Sequence, residues 1–124
     1  MDTRIELALS FMEMNLERSL PLHELGSLVG LSDSRFRHIF TAETGTSPRV
    51  CLRKLRLNRA KELLAEQSQL SIGQIALKLG WQDRSHFEKR FKQLHGVTPA
   101  QYRIVKRTDT IAAKLKAAAG TATN

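Results

Sequence analysis

The sequence lacks the features that membrane proteins, disulfide-stapled proteins and disordered chains depend on. Its single cysteine, Cys51, cannot form an internal disulfide and suits a reducing compartment. No apolar run approaches the roughly 18 residues of a membrane span, and no signal-peptide pattern opens the chain. A hydrophobic share of 41% over 124 residues is that of a globular chain. We therefore expect one cytoplasmic domain, or two very small ones.

Motifs of common enzymes and metal sites are absent as well. The chain contains no GxGxxG, no phosphate loop, no HExxH and no cysteine cluster. Its four histidines fall on four different predicted helices or at their ends, and they are His23, His38, His86 and His95. A zinc site would need third and fourth ligands that no spacing supplies. We expect neither catalysis nor a cofactor nor a metal site.

Positive charge is what the sequence has in excess. Lysine and arginine number 20 against 12 aspartate and glutamate, a formal net charge of +8. The excess is uneven, because residues 1–47 hold four bases and seven acids while residues 48–124 hold sixteen bases and five acids. This distribution favours a polyanionic partner, nucleic acid before membrane.

Helical signals recur along the whole chain, and no stretch sustains the two-residue alternation of a strand. Residues 4–17 place five apolar residues on one helical face, namely Ile5, Ala8, Leu9, Met12 and Leu16. Six further helices are predicted from residues that cap helices, from glycines that end them and from Ser-Pro or Thr-Pro pairs that begin them. They span 21–29, 32–44, 48–66, 71–79, 83–95 and 99–106. The predicted fold class is all-α with seven helices. Residues 108–124, rich in threonine and alanine, are expected to form a weakly helical or disordered tail that frays.

The chain also contains an internal repeat of a short helix, a glycine turn and a longer capped helix. Aligned at an offset of 50 before the turn and 51 after it, the pairs are Leu25 with Ile75, Gly30 with Gly80, Phe36 with Phe87, Phe40 with Phe91 and Pro48 with Pro99. This order of a short helix, a glycine turn and a longer helix is typical of a helix-turn-helix motif. One such pattern could be any helical hairpin, whereas two copies joined by a basic helix are much more specific.

The connector between the copies has a length that suits DNA. Residues 48–67 form a helix of about 30 Å at 1.5 Å per residue, close to the roughly 34 Å between successive major grooves on one side of B-DNA. The predicted organisation is a first helix-turn-helix subdomain (1–47), the connector helix (48–67), a second subdomain (68–107) and the tail (108–124). Since the repeats differ in sequence, one chain would read an asymmetric site, and we expect a monomer.

The run from Leu20 to Arg103 resembles the DNA-binding domain of the AraC/XylS family. The matching residues are Arg56-Leu57, Ala60, Leu63-Leu64, Ile75-Ala76, Gly80-Trp81, Asp83, Ser85-His86-Phe87, Phe91-Lys92, Gly96, Thr98-Pro99 and Tyr102-Arg103. Trp81 departs from the usual phenylalanine, and Cys51 from an aromatic residue. We expect Cys51 to be a small packing residue, because a reactive thiol needs exposure and a lowered pKa.

The resemblance implies a transcription regulator, commonly an activator that contacts RNA polymerase. The acidic-biased first half is then a candidate protein-facing surface. Family members often have a separate effector-binding or dimerisation domain, for which these 124 residues leave no room. The chain accordingly resembles the short stand-alone regulators of the MarA, SoxS and Rob type, or else the DNA-binding part of a longer protein.

Candidate DNA-reading residues lie on the second helix of each repeat. The predicted base-reading set is Ser34, Arg35, Arg37, His38, Arg84, Ser85, His86, Glu88 and Lys89. The resemblance implies base contacts at Ser34, Arg37 and His38. Arginine can pair with two acceptors of guanine, and a glutamate can accept from cytosine N4.

Phosphate contacts require cations and hydrogen-bond donors rather than a particular motif. The predicted set is Thr41, Arg49, Arg53, Arg56, Arg90, Lys92 and Arg103, of which the resemblance implies Arg53. Double-stranded DNA is thus the predicted partner, with the protein located in the cytoplasm and associated with the nucleoid when bound. The alternative is a basic helical module that binds RNA or an acidic protein without reading bases.

Overall fold

The computed structural model describes the backbone of residues 1–122 and the side chains of residues 1–120. The helices are α1 (Thr3–Met14), α2 (Leu22–Leu28), α3 (Asp33–Thr44), α4 (Pro48–Glu66), α5 (Ile72–Lys78), α6 (Arg84–His95) and α7 (Pro99–Ala122). These are seven helices, and residues 1–122 contain no strand. The all-α prediction is therefore confirmed.

The ends of the helices follow from the capping residues in the sequence. The side chains of Ser32 and Ser47 accept hydrogen bonds from backbone N–H groups in the first turns of α3 and α4, and Asp83 does the same for α6. Gly45 and Gly96 end α3 and α6 in the left-handed conformation, with φ of 78° and 82°. The second helix of each repeat thus begins and ends in the same way.

Each helix-turn-helix unit is centred on a pair of phenylalanines. Phe36 and Phe40 of α3 are fully buried with their ring centroids 5.6 Å apart, and Phe87 and Phe91 of α6 are buried with theirs 6.0 Å apart. The i, i+4 spacing places each pair on one face, so the other face of α3 and of α6 is turned towards solvent. Truncating a buried phenylalanine to alanine typically costs 3–5 kcal/mol, which makes these pairs major determinants of the fold.

The connector α4 contacts α1 and α3 of the first half and α5, α6 and α7 of the second. Its buried residues are Pro48, Leu52, Leu57, Ala60, Leu63 and Leu64. Val50 and Leu55 are half-buried, and Leu55 packs against the hydrophobic core.

The predicted end of the seventh helix, near Lys106, was wrong. The helix α7 continues without a break to Ala122, so residues 108–122 of the expected tail are helical. The physical reason is composition, because residues 108–122 contain no proline and six alanines, the residue that favours helix most. Residues 123 and 124 of the predicted tail lie outside the described residues.

Candidate nucleic-acid interface

The two helix-turn-helix units, α2–α3 and α5–α6, repeat the same turn. Leu31 N–H donates to the carbonyl of Gly26 in the first unit, and Trp81 N–H donates to the carbonyl of Ala76 in the second, both at 2.9 Å. Each turn fixes the start of the longer helix relative to the shorter one. The internal repeat in the sequence therefore corresponds to a repeat in the structure.

An open cleft of about 1300 Å³ lies between the two units. The basic side chains that line it come from α3, α4 and α6, and they are Arg37, Arg49, Arg53, Arg56 and His86. Asp83 also lines the cleft, and one of its carboxylate oxygens accepts hydrogen bonds from the N–H groups that begin α6. The cleft thus brings predicted residues of both units and of the connector onto one positively charged surface.

The solvent face of α3 displays four of the predicted DNA contacts. Ser34, Arg37, His38 and Thr41 follow one another at i, i+3, i+4 and i+7, away from the buried phenylalanines, and all four are exposed. Their side chains make no hydrogen bond or ion pair within the described part of the chain, which leaves their donors available. Arg35 is also exposed and lies to one side of this row.

The matching face of α6 has different chemistry at equivalent positions. Ser85, Glu88, Lys89 and Lys92 occupy the positions of the α3 row at the offset of 51. Glu88 is half-buried and its Oε1 accepts from Nε of Arg84 at 2.8 Å. This i, i+4 pair holds the Arg84 side chain along α6 and leaves its terminal amino groups without an acceptor among the described residues.

His86 and Arg90 are linked to each other on the same helix. Nε of Arg90 donates to Nε2 of His86 at 3.4 Å, and the His86 ring meets Trp81 edge-on with centroids 5.4 Å apart. Trp81 in turn packs against Phe87, with ring centroids 5.7 Å apart. The contacts restrain His86 at the rim of the cleft.

Two of the predicted phosphate ligands use their guanidinium groups inside the fold. Arg56 donates from Nε to the carbonyl of Leu16 at 3.1 Å and from Nη2 to that of Arg18 at 2.7 Å. Arg103 donates to the carbonyls of Leu64 and Gln67, both at 3.2 Å, and so satisfies the end of α4. Burial lowers the pKa of both guanidinium groups from their usual high value.

Sequence reasoning missed these structural roles because the partners are distant along the chain. The carbonyls that Arg56 and Arg103 contact are 36–40 residues away, and no local pattern points to them. The Arg84–Glu88 pair, in contrast, has the i, i+4 spacing of a helical ion pair and was detectable. Arg59 pairs in the same local way with Glu62, three residues along α4.

Cys51 is half-buried against the hydrophobic core, and this burial raises the pKa of its thiol. The shift disfavours the reactive thiolate and agrees with a packing role. Among the described residues, no group of three or more histidine, cysteine, aspartate or glutamate side chains is placed to hold a metal ion. No helix in the part of the chain that the structure describes is long and apolar enough to cross a membrane.

The two units and the cleft define a protein of the helix-turn-helix class. A family model described as a helix-turn-helix domain matches residues 25–104. A solved AraC-type DNA-binding transcriptional regulator from Chromobacterium violaceum is 33% identical, with 84% of this chain and 92% of that chain covered and a TM-score of 0.79. The chain belongs to the AraC-type helix-turn-helix family, which is a DNA-binding domain of transcription regulators and not an enzyme.

Other relatives place this domain within longer proteins. A helix-turn-helix-type transcriptional regulator of Haemophilus influenzae is 37% identical over 102 residues, which are 82% of this chain and 34% of the relative. The raffinose operon regulatory protein RafR of Pediococcus pentosaceus is 33% identical over 100 residues, 81% of this chain and 36% of that protein. The chain therefore spans about a third of the length of these curated relatives.

Proposed function

We propose that this chain binds double-stranded DNA sequence-specifically by placing α3 and α6 in two adjacent major grooves. The observation that supports this most strongly is the cleft, because it gathers Arg37 of α3, Arg53 of α4 and His86 of α6 on one basic surface. The DNA-binding domain of AdpA, solved in complex with a target DNA, shares the fold at 24% identity and a TM-score of 0.75 over 86% of this chain and 95% of that one. The shared fold and the basic cleft thus both support double-stranded DNA as the ligand.

The dimensions of the connector support two grooves rather than one. The helix α4 runs over Pro48–Glu66, about 28 Å at 1.5 Å per residue. Successive major grooves on one side of B-DNA are roughly 34 Å apart. A single helix of this length, packed against both units, can hold α3 and α6 one helical turn apart on the same duplex.

Base reading is assigned to the exposed faces of α3 and α6. Arg37 is the strongest candidate because its guanidinium is unpaired among the described residues and can bond both O6 and N7 of guanine. On α6, Glu88 positions Arg84 for the same chemistry in a second groove. The remaining proposed base contacts are Ser34, Arg35, His38, Ser85, His86 and Lys89.

Phosphate contacts are assigned to cations around the cleft. Arg49 and Arg53 line the cleft and form no ion pair within residues 1–120, so both can meet the backbone strand that crosses between the two grooves. Thr41 and Lys92 stand at equivalent positions on α3 and α6, and Arg90 lies beside the second row. Arg56 and Arg103 are left out of this interface because carbonyls of the fold already accept from them.

The whole protein is proposed to regulate transcription from the cytoplasm, associated with the nucleoid when it is bound to DNA. Activation through contact with RNA polymerase is the form of regulation we favour, with the acidic first half as the protein-facing surface. The support is the set of regulator names among the relatives and the seven acids against four bases in residues 1–47. One chain supplies both reading helices, so one copy is enough for one DNA site.

Competition between a selected duplex and bulk DNA tests base reading. Sequence-specific binding predicts a preference of at least about 10³ for the selected duplex at physiological salt. Equal affinity for all duplexes would reject the proposal. If single-stranded RNA or an acidic protein competed better than any duplex, the chain would instead be a basic interaction module.

A further inference from the structure

Residues 104–116 of α7 project from the domain without a packing partner among the described residues. Every one of them is exposed, over a length of about 20 Å. Three large aliphatic side chains nevertheless follow one another at i, i+7 and i+11, namely Ile104, Ile111 and Leu115, which are 64%, 51% and 66% exposed. A helical arm with an apolar stripe is marginal in water, because most helical stability comes from packing of such a face.

The flanks of this stripe are basic. Arg107 and Lys114 are seven residues apart on one side of it, and Lys106 and Lys116 add further positive charge against the single acid Asp109. In a heptad description, Ile104 and Ile111 are at one core position and Arg107 and Lys114 are at a flanking position. The arm, defined as residues 104–116, therefore needs a partner that is apolar and acidic.

The exposed face of α1 has the complementary pattern. Leu7 and Met14 are seven residues apart and 50% and 82% exposed, although α1 already buries Ile5, Ala8 and Met12 on its inner face. Glu6 and Glu13 precede them with the same spacing, and neither makes an ion pair within the described residues. At Met14 this face continues into a groove of about 730 Å³ between α1 and α4, which Leu55 also lines.

Although one copy is enough to read one DNA site, we propose, in place of the monomer expected from the sequence, that the arm of one copy packs antiparallel along the exposed face of α1 of a second copy. In that orientation Glu13 lies opposite Arg107 and Glu6 opposite Lys114, while Met14 and Leu7 meet Ile104 and Ile111. Flanking charges of opposite sign at matched heptad positions are the feature that selects partner and orientation in packed helices. The cations nearest the groove are already neutralised, since Arg18 pairs with Glu24 and Arg59 with Glu62.

Sedimentation equilibrium of the full chain without DNA tests this contact. The account predicts reversible self-association, with a dissociation constant on the order of micromolar for so small an interface. Two charge-reversed double variants are measured. One has both Glu6→Lys and Glu13→Lys on α1, and the other has both Arg107→Glu and Lys114→Glu on the arm. Each alone should associate roughly tenfold more weakly, because two exposed ion pairs become two like-charge contacts.

Mixing the two reversed variants should restore association, since α1 of each then faces an arm of opposite charge. The matched control is the double variant Glu43→Lys and Glu66→Lys. It reverses two exposed acids on α3 and α4, away from the proposed contact, and should associate like the parent chain. A chain that stays monomeric at all concentrations would overturn the proposal. So would a mixture no tighter than either variant, or association that Ile111→Ser abolishes and Leu7→Ser leaves unchanged.

Discussion

Replacing Arg56 by alanine should destabilise the fold without removing a DNA contact. Arg56 of α4 reaches back to the end of the first helical region, where it bonds the carbonyls of Leu16 and Arg18. Its Nη1 also lies within 3.4 Å of the position that a Cβ on Gly80 would occupy, so the guanidinium fills the space beside the second turn. One side chain thus joins the segment between α1 and α2, the connector α4 and the α5–α6 turn.

The expected loss of stability can be derived from these two bonds. A hydrogen bond from a charged donor contributes about 1.5–3 kcal/mol. The bond to Leu16 is partly buried and counts in full, whereas the bond to Arg18 is exposed and its carbonyl can be hydrated in the variant. Allowing for that hydration, Arg56→Ala should reduce the free energy of unfolding by about 2–3 kcal/mol.

Urea unfolding at neutral pH measures this loss, with Arg53→Ala as the matched control. Arg53 lines the same cleft one turn away but makes no hydrogen bond or ion pair within residues 1–120, so its removal should change stability by no more than about 0.5 kcal/mol. If Arg56→Ala unfolded like the parent chain, the two bonds would not stabilise the fold. If it also weakened binding to all duplexes alike, Arg56 would be a phosphate ligand after all.

Two further predictions concern salt and pH. Arg53→Ala should weaken binding to all duplexes alike and reduce the slope of log affinity against log salt by about one, as fluorescence anisotropy over a salt series would show, and an unchanged slope would remove Arg53 from the interface. His95 is partly buried, and burial lowers the pKa of its imidazole although Nε2 bonds the carbonyl of Leu57. The unfolded chain then takes up the proton first, so stability is lost as pH falls through the unfolded value of about 6.5. The melting temperature should therefore fall less on acidification in His95→Gln than in the parent chain, whereas the control His38→Gln should fall as the parent does. Equal losses in the parent chain and both variants would refute the assignment of this effect to His95.

The parts of the fold that could be predicted from the sequence are mostly those set by neighbouring residues, namely the helix ends and the buried face of α1. Ser47, Asp83, Gly45 and Gly96 fix where helices begin and end, and these effects operate within one turn. The apolar spacing of α1 also identified its buried face, with Ile5 fully inside. These residues act through neighbours in sequence, which is why they could be interpreted without coordinates.

What could not be predicted depends on contacts between distant segments. The exposed rows on α3 and α6 follow from the i, i+4 phenylalanines, but the role of Arg56 depends on carbonyls 38 and 40 residues away. The continuation of α7 past Lys106 was misjudged for a different reason. Threonines such as Thr108 suggested fraying, yet in the helix its hydroxyl donates to the carbonyl of Ile104 at 3.0 Å.

Selection of bound duplexes from a random pool is the most direct test of two-groove reading. The parent chain should recover two different half-sites with centres about one helical turn apart, roughly 10 base pairs. Arg37→Ala should relax the preference in one half-site alone and Arg84→Ala in the other alone, each at a cost of about 1–3 kcal/mol. A single half-site, or a uniform loss of affinity in both variants, would contradict the account.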